Sequence, residues 1–154
     1  MKNQIIIRNY KKSELSEIIS LTAKAYSTPY KSKEIVNSFH ENLESLEKDI
    51  ERGLRILVAE EKGELIGAVR FAMIDSKLKL GRLAVLSNHR CKGVGSKLIN
   101  SVLKIAQERN IKIVILDVME EKELVTFYEK FGFEVKSKKK HKNHYDVIME
   151  KEIE

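Results

Sequence analysis

Residues 80–99, LGRLAVLSNHRCKGVGSKLI, constrain the fold more than any other stretch of the chain. An apolar strand runs into a basic turn with two glycines, and a helical pattern starts at once. Gly93 and Gly95 lack a Cβ, so the backbone there can adopt conformations closed to other residues, and a ligand can come close to its N–H groups. A helix starting near Val94 leaves its first amides unpaired at the positive end of the helix dipole, which favours phosphate. Arg90 and Lys92 add positive charge beside them. Two better-known phosphate loops do not fit. A P-loop needs Gly-Lys-Ser/Thr after a four-residue gap, whereas Gly95 is followed by Ser96 and Lys97. A dinucleotide fingerprint needs a small residue where Leu98 stands.

A second block lies some thirty residues on. Ile113-Val114-Ile115-Leu116-Asp117-Val118 reads as a buried strand, and a short helix after it ends in FYEKFGF, residues 127–133. Arg90-x-x-Gly93-x-Gly95 after an apolar strand, followed by this aromatic-Tyr-Glu-Lys-x-Gly-Phe signature, resembles the core of the GNAT (Gcn5-related N-acetyltransferase) superfamily. The resemblance is detailed over residues 78–135.

At 154 residues and 42% hydrophobic content, the chain has room for a sizeable core and is short for two. One α/β (α+β) domain over residues 1–154 is expected. The lone cysteine, Cys91, excludes an intrachain disulfide and fits a reducing compartment. No segment approaches the roughly 18 apolar residues of a membrane span, and no signal-peptide run opens the chain. A cytoplasmic protein that does not enter membranes is expected. The net charge of +6 comes from 29 basic and 23 acidic residues. Much of it lies in residues 136–142, whose five lysines read as an exposed hairpin loop rather than a nucleic-acid contact.

The remaining elements follow in order. Residues 5–7 open as a strand. Ser13 is placed to cap a helix running to about Tyr26, with Leu15, Ile18, Ile19 and Thr22 on one face. Pro29 interrupts. A second amphipathic helix is expected over residues 33–52, where Ile35, Phe39, Leu43, Leu46 and Ile50 recur at spacings of four and three, and Gly53 can end it. Residues 54–60 and 65–73 are β-branched runs joined by hairpin chemistry at Glu61-Lys62-Gly63-Glu64.

In the next strand, residues 77–86, apolar side chains fall at Leu78 and Leu80 and then at Leu83 and Val85, so the alternation slips near Gly81-Arg82. A β-bulge gives that slip, and a strand buried on both faces gives the same pattern. The helix after the glycines buries Val94, Leu98, Val102, Ile105 and Ala106. With the strand at residues 112–118 it makes a βαβ unit, so the two strands should be parallel. A helix over 121–130 and strands at 133–137 and 144–152 complete the order β-α-α-β-β-β-α-β-α-β-β in a mixed central sheet. The resemblance implies the same order, with a bulge that splays the parallel pair so that the pantetheine arm can enter.

The resemblance further implies acetyl-CoA as cosubstrate and a primary amine, on a small molecule or a protein, attacking the thioester directly through a tetrahedral intermediate. The donor phosphates would be held by Arg90, Cys91, Lys92, Gly93, Val94, Gly95 and Ser96. Backbone groups of Leu83, Ala84 and Val85 would pair with the pantetheine amides, an N–H near Val85 polarising the carbonyl. Tyr128 matches the general acid: a phenol of pKa about 10 can protonate a thiolate whose thiol has a pKa of about 8.5. On spacing alone it reads rather as a core tyrosine packed with Phe127 and Phe131 in an aromatic helix stripe, and it is the motif that favours the acid. Where many members carry asparagine and alanine ahead of that tyrosine, this chain has Glu121 and Leu124.

An alkyl ammonium of pKa near 10.4 must lose a proton before attack. The bulged strand offers Arg82 and no carboxylate, so Asp117 and Glu120 are the candidate bases, although each alone reads as a surface or helix-entry acid. Tyr30, Glu34 and Phe39 are candidate walls of the amine site. Cys91 has no histidine–carboxylate partnership and reads as a small loop residue, and the four histidines lack metal-ligand spacing, so no metal is expected. A catalytically weak acyl-CoA-binding module and a basic nucleic-acid-associated protein are the alternatives. Monomer and homodimer both remain open.

Overall fold

A computed structural model of the chain describes residues 4–26, 41–90, 92–141 and 143–154. Tyr30, Glu34, Phe39, Cys91 and the start of the expected second helix lie outside them. The elements are β1 (Ile5–Asn9), α1 (Leu15–Tyr26), α2 (Leu43–Glu51), β2 (Arg55–Glu61), β3 (Glu64–Ile74), β4 (Lys77–Val85), α3 (Val94–Glu108), β5 (Ile113–Met119), α4 (Lys122–Glu129), β6 (Glu134–His141) and β7 (His144–Glu152). Their order is the one read from the sequence. The strands hydrogen-bond in the order β1-β2-β3-β4-β5-β7-β6, and the β4–β5 pair is parallel, Leu78 opposite Val114 and Lys79 opposite Ile115. The chain divides into two compact units, Met1–Arg70 with Arg82–Ser101, and Phe71–Gly81 with Val102–Glu154.

In the first unit, the apolar face of α1 (Leu15, Ile18, Leu21, Ala25) packs with Leu46 of α2, Ile56 and Val58 of β2, Leu65 and Ala68 of β3 and Ala84 of β4. Its helices begin differently from the sequence expectation. Ser13 lies in a 3-10 turn, Lys12–Glu14, and Glu14 closes that turn by accepting the Lys11 N–H at 2.8 Å. Arg8 of β1 holds the same carboxylate at 2.7 Å and reaches Glu60 of β2 at 2.6 Å. The expected long helix over residues 33–52 is capped afresh at Asn42, whose Oδ1 accepts the Ser45 N–H at 2.8 Å. A carboxamide at that position competes for the backbone amide and starts a new helix. Leu43, assigned to the buried stripe, is therefore 42% exposed, while Leu46 is fully buried.

The β2–β3 hairpin turns on Lys62 and Gly63, both at positive φ (53° and 80°), as a two-residue primed turn requires. Further along β3, a Cβ on Gly67 would stand 3.0 Å from the Ala84 carbonyl oxygen, 3.1 Å from Val94 Cγ1 and 3.3 Å from Leu98 Cδ1. The missing side chain lets the start of α3 and the end of β4 close on β3. In β4 the backbone turns to φ +52° at Arg82, where the apolar alternation slips. The side chains do not all follow the slip, since Ala84 is buried and Leu83 and Val85 stay half-exposed.

In the second unit β7 inserts between β5 and β6, pairing Val114 with Lys151 and Leu116 with Met149 on one side and Val135 with Met149 on the other. Lys142 lies outside the described residues, and the rest of the basic run is strand rather than loop. Lys138, Lys139 and Lys140 are strand residues opposite Val147, Asp146 and Tyr145, because β7 supplies a full antiparallel partner as far as His144. Lys138 lies 2.7 Å from Glu120 and Lys136 lies 3.4 Å from Glu134, so part of this charge is compensated locally. β6 ends the strand order, and lysines there discourage pairing with another chain.

Two measurements test this account. Gly67→Ala should lower stability by about 1–3 kcal/mol in urea unfolding, since the Ala84 carbonyl is backbone and cannot move aside. Hydrogen bonding from Arg8 holds the Glu14 carboxyl below the ordinary carboxylate range. The stability this brings is complete above the unfolded pKa of about 4.3 and is lost as pH falls through the lower folded value. Glu14→Gln should therefore cost about 1 kcal/mol at pH 7, and the gap to wild type should close on acidification.

Candidate active site

The end of β4 presents two different edges. Leu86 N–H donates to Ile66 O at 2.9 Å, and the Ala84 carbonyl faces Gly67, so both residues turn their main chain towards β3. By strand alternation the main-chain groups of Leu83 and Val85 face away from β3. Their carbonyls are engaged by side chains of the same unit. The Tyr26 hydroxyl, at the last residue of α1, donates to Leu83 O at 2.9 Å. Arg90 donates from Nε to Val85 O at 3.2 Å and from Nη2 to Ala25 O at 2.9 Å.

After a short 3-10 turn, Ser87–His89, the chain reaches the glycines. Gly93 sits at φ +79°, and a Cβ there would meet nothing within 4 Å, so its requirement is conformational. Lys97 N–H bonds to Gly93 O at 3.0 Å, which leaves the amides of Val94, Gly95 and Ser96 ahead of the first helical bonds at the positive end of α3. Val94 is buried, and Val94 and Leu98 lie against Gly67, anchoring this terminus on β3.

Lys92 stands 3.7 Å from Glu61, the last residue of β2, and 3.3 Å from His89 Nδ1, while His89 lies 3.5 Å from the same carboxylate. Glu61 is only 9% exposed. Arg90 and Lys92, the two cations of the loop, are thus both held by protein groups.

A buried polar cluster lies in the same unit. Arg70, in the apolar run of β3 and 5% exposed, forks onto Glu41 at 2.8 and 2.5 Å and reaches Thr22 Oγ1 at 3.5 Å. Burial, then repulsion from Arg70, lowers the pKa of the Arg82 guanidinium. Burial pushes the Tyr26 phenol up, which keeps it a hydrogen-bond donor at neutral pH. Sequence reasoning missed Tyr26, Glu41, Glu61 and Arg70. Arg70 alone left a signal, as the single charge within the apolar run LIGAVRFAM.

In the second unit Tyr128 is on α4, 5% exposed, with edge-to-face contacts to Phe127 (centroids 5.0 Å apart) and Phe133 (6.0 Å). Phe127 also meets Phe131 at 5.2 Å. The two candidate bases are solvent-exposed and each lies beside a different lysine, Asp117 at 3.4 Å from Lys79 and Glu120 at 2.7 Å from Lys138. Glu121 precedes α4 as its N-cap, contributing its carbonyl to Val125 N–H at 3.0 Å and no side-chain cap. Leu124 is half-buried in the first turn. Among the described residues no three His, Cys, Asp or Glu side chains gather as metal ligands, and no helix is long and apolar enough to cross a membrane.

A mixed sheet with a parallel β4–β5 pair, joined by a helix that starts at a glycine turn, is the fold of GNAT acetyltransferases. The chain belongs to that family, because the acetyltransferase (GNAT) domain profile matches residues 18–153. It is 32% identical over 99 residues to the uncharacterized N-acetyltransferase YjcF of Bacillus subtilis, covering 64% of this chain and 66% of the relative. It is 30% identical over 91 residues to N-acetyltransferase 8 of Rattus norvegicus, covering 54% and 41%. The chain therefore spans less than two thirds of either curated relative's length. Among solved structures, that of the PaiA N-acetyltransferase from Thermoplasma acidophilum in complex with coenzyme A superposes with a TM-score of 0.85 at 27% identity, over 97% of this chain and 99% of that one.

Gly93→Ala places an L side chain at φ +79° with no clash to relieve. It should lower stability by about 1–2 kcal/mol in denaturant titration.

Proposed function

We propose that the protein is a single-domain, cytoplasmic N-acetyltransferase that moves an acetyl group from acetyl-CoA to a primary amine. The observation that carries this reading is the α3 terminus. Gly93 at φ +79° and the leading amides of Val94, Gly95 and Ser96 lie next in sequence to Arg90 and Lys92, in a chain whose domain profile is that of GNAT acetyltransferases. The relative crystallised with coenzyme A supports the same donor class.

In the proposed reaction the donor phosphates meet those amides and the loop cations, with Cys91 among the loop residues. The pantetheine amides pair with the backbone of Leu83, Ala84 and Val85. The Val85 N–H hydrogen-bonds the thioester oxygen, which becomes an oxyanion when the amine nitrogen adds to the carbonyl carbon. Collapse of the tetrahedral intermediate breaks the C–S bond, and Tyr128 gives the departing thiolate its proton. A phenol is protonated at neutral pH and can supply that proton. The proton lost by the amine passes to Asp117 or Glu120, directly or through water. Tyr30, Glu34 and Phe39 remain the proposed walls of the amine site. The acceptor is a small amine or a protein amine, bound by a monomer or a homodimer.

Calorimetric titration with acetyl-CoA, followed by acetylation assays on a panel of amines, tests the proposal. The expected results are saturable binding, turnover on at least one amine, and a roughly 100-fold lower kcat for Tyr128→Phe with unchanged acetyl-CoA affinity. Binding without turnover on any amine would replace the enzyme reading with that of an acyl-CoA-binding module. Absence of binding would overturn the donor assignment.

A further inference from the structure

The β4 edge assigned above to the donor is already occupied from within the chain. Leu83 and Val85 turn their carbonyls away from β3. The first carries the Tyr26 hydroxyl at 2.9 Å and the second the Arg90 Nε at 3.2 Å. The two occupants differ in what a donor would offer them. Tyr26 is a desolvated, uncharged phenol, without the positive charge that draws a guanidinium to phosphate. Arg90 is an exposed guanidinium beside the glycine turn, and a planar fork of N–H donors matches phosphate oxygens better than it matches two separate carbonyls. Val85 O is also an acceptor that an incoming amide N–H on this edge needs, in the manner of an added strand.

We propose that Arg90 is an exchangeable plug on the donor edge. In the structure it caps the Val85 and Ala25 carbonyls, and it leaves Val85 when an amide of the donor's arm arrives and a phosphate takes over the guanidinium. Tyr26 stays in place as the positioning residue that fixes Leu83. The exchange is non-covalent: one N–H···O bond at Val85 is replaced by another, and the guanidinium gains a charge-assisted bond in return. The inference rests on the donor reading of this edge. It adds that Arg90 opposes binding of the arm while favouring binding of the phosphates.

The two effects separate when the donor is cut in two. S-acetyl-pantetheine carries the amides and the thioester without phosphate, and ADP carries the pyrophosphate without the arm. Calorimetric titration of wild type, Arg90→Ala and Arg90→Lys with each fragment and with intact acetyl-CoA makes the test. Arg90→Ala should bind S-acetyl-pantetheine roughly 3- to 10-fold more tightly than wild type and ADP roughly 10-fold more weakly. Arg90→Lys keeps the charge and loses the two-pronged bond, so it should recover most of the ADP affinity while retaining the gain on S-acetyl-pantetheine.

A purely structural role for Arg90 would weaken both fragments in both variants and lower Tm. A phosphate role alone would leave S-acetyl-pantetheine affinity at the wild-type value. Either result overturns the exchange, and if intact acetyl-CoA still binds wild type the donor reading stands. Wild-type protein that binds neither acetyl-CoA nor the fragments overturns both.

Discussion

The first unit depends on one close approach. At Gly67 the β3 backbone, the Ala84 carbonyl and the Val94 and Leu98 side chains converge so tightly that a methyl group would stand 3.0–3.3 Å from all three. Dense packing of this kind makes position rigid. It fixes the start of α3 against β3, and so fixes where the unpaired amides of that helix point. It also sets which backbone groups of β4 turn towards β3 and which turn away. The anion-favouring turn and the outward-facing carbonyls of Leu83 and Val85 are therefore set by a single contact, at a residue with no chemistry of its own.

Around this frame, arginines hold parts of the first unit together. Arg8 joins β1, the turn before α1 and β2 through Glu14 and Glu60. Arg70 gathers Glu41 and Thr22 within the apolar interior. Arg90 links the end of α1 to the end of β4. With five N–H donors, one guanidinium can reach more than one acceptor at once. The positive charge that looks in the sequence like a surface property thus includes guanidiniums turned inward.

What the sequence made legible was local. Spacings of three and four placed α1 and α3, turn residues at Lys62-Gly63 made the β2–β3 hairpin, and the slip at Gly81-Arg82 fell where the backbone leaves strand geometry. The glycine turn was legible because its requirement is written in residues that lack a Cβ. Contacts between distant residues left no such trace. Tyr26 meets Leu83 across 57 positions and Arg70 meets Glu41 across 29, and neither spacing belongs to a helix or a strand. Asn42 was lost inside an amphipathic pattern that ran through it. The lysines of β6 were read as a loop because charge suggested solvent, whereas β7 was there to pair with them.

The placement of β7 bears on how the second unit is closed. It lies between β5 and β6, so a strand that follows both in sequence is a middle one in the hydrogen-bonded order. Ile113 finds its antiparallel partner only at Glu152. Until that pairing forms, this side of β5 is an open edge, a state prone to pairing with other chains. β6 precedes β7 in sequence but neighbours it alone in the strand order, and the lysines along β6 discourage pairing with another chain. The second unit is therefore closed by a strand inserted between two that precede it in the chain.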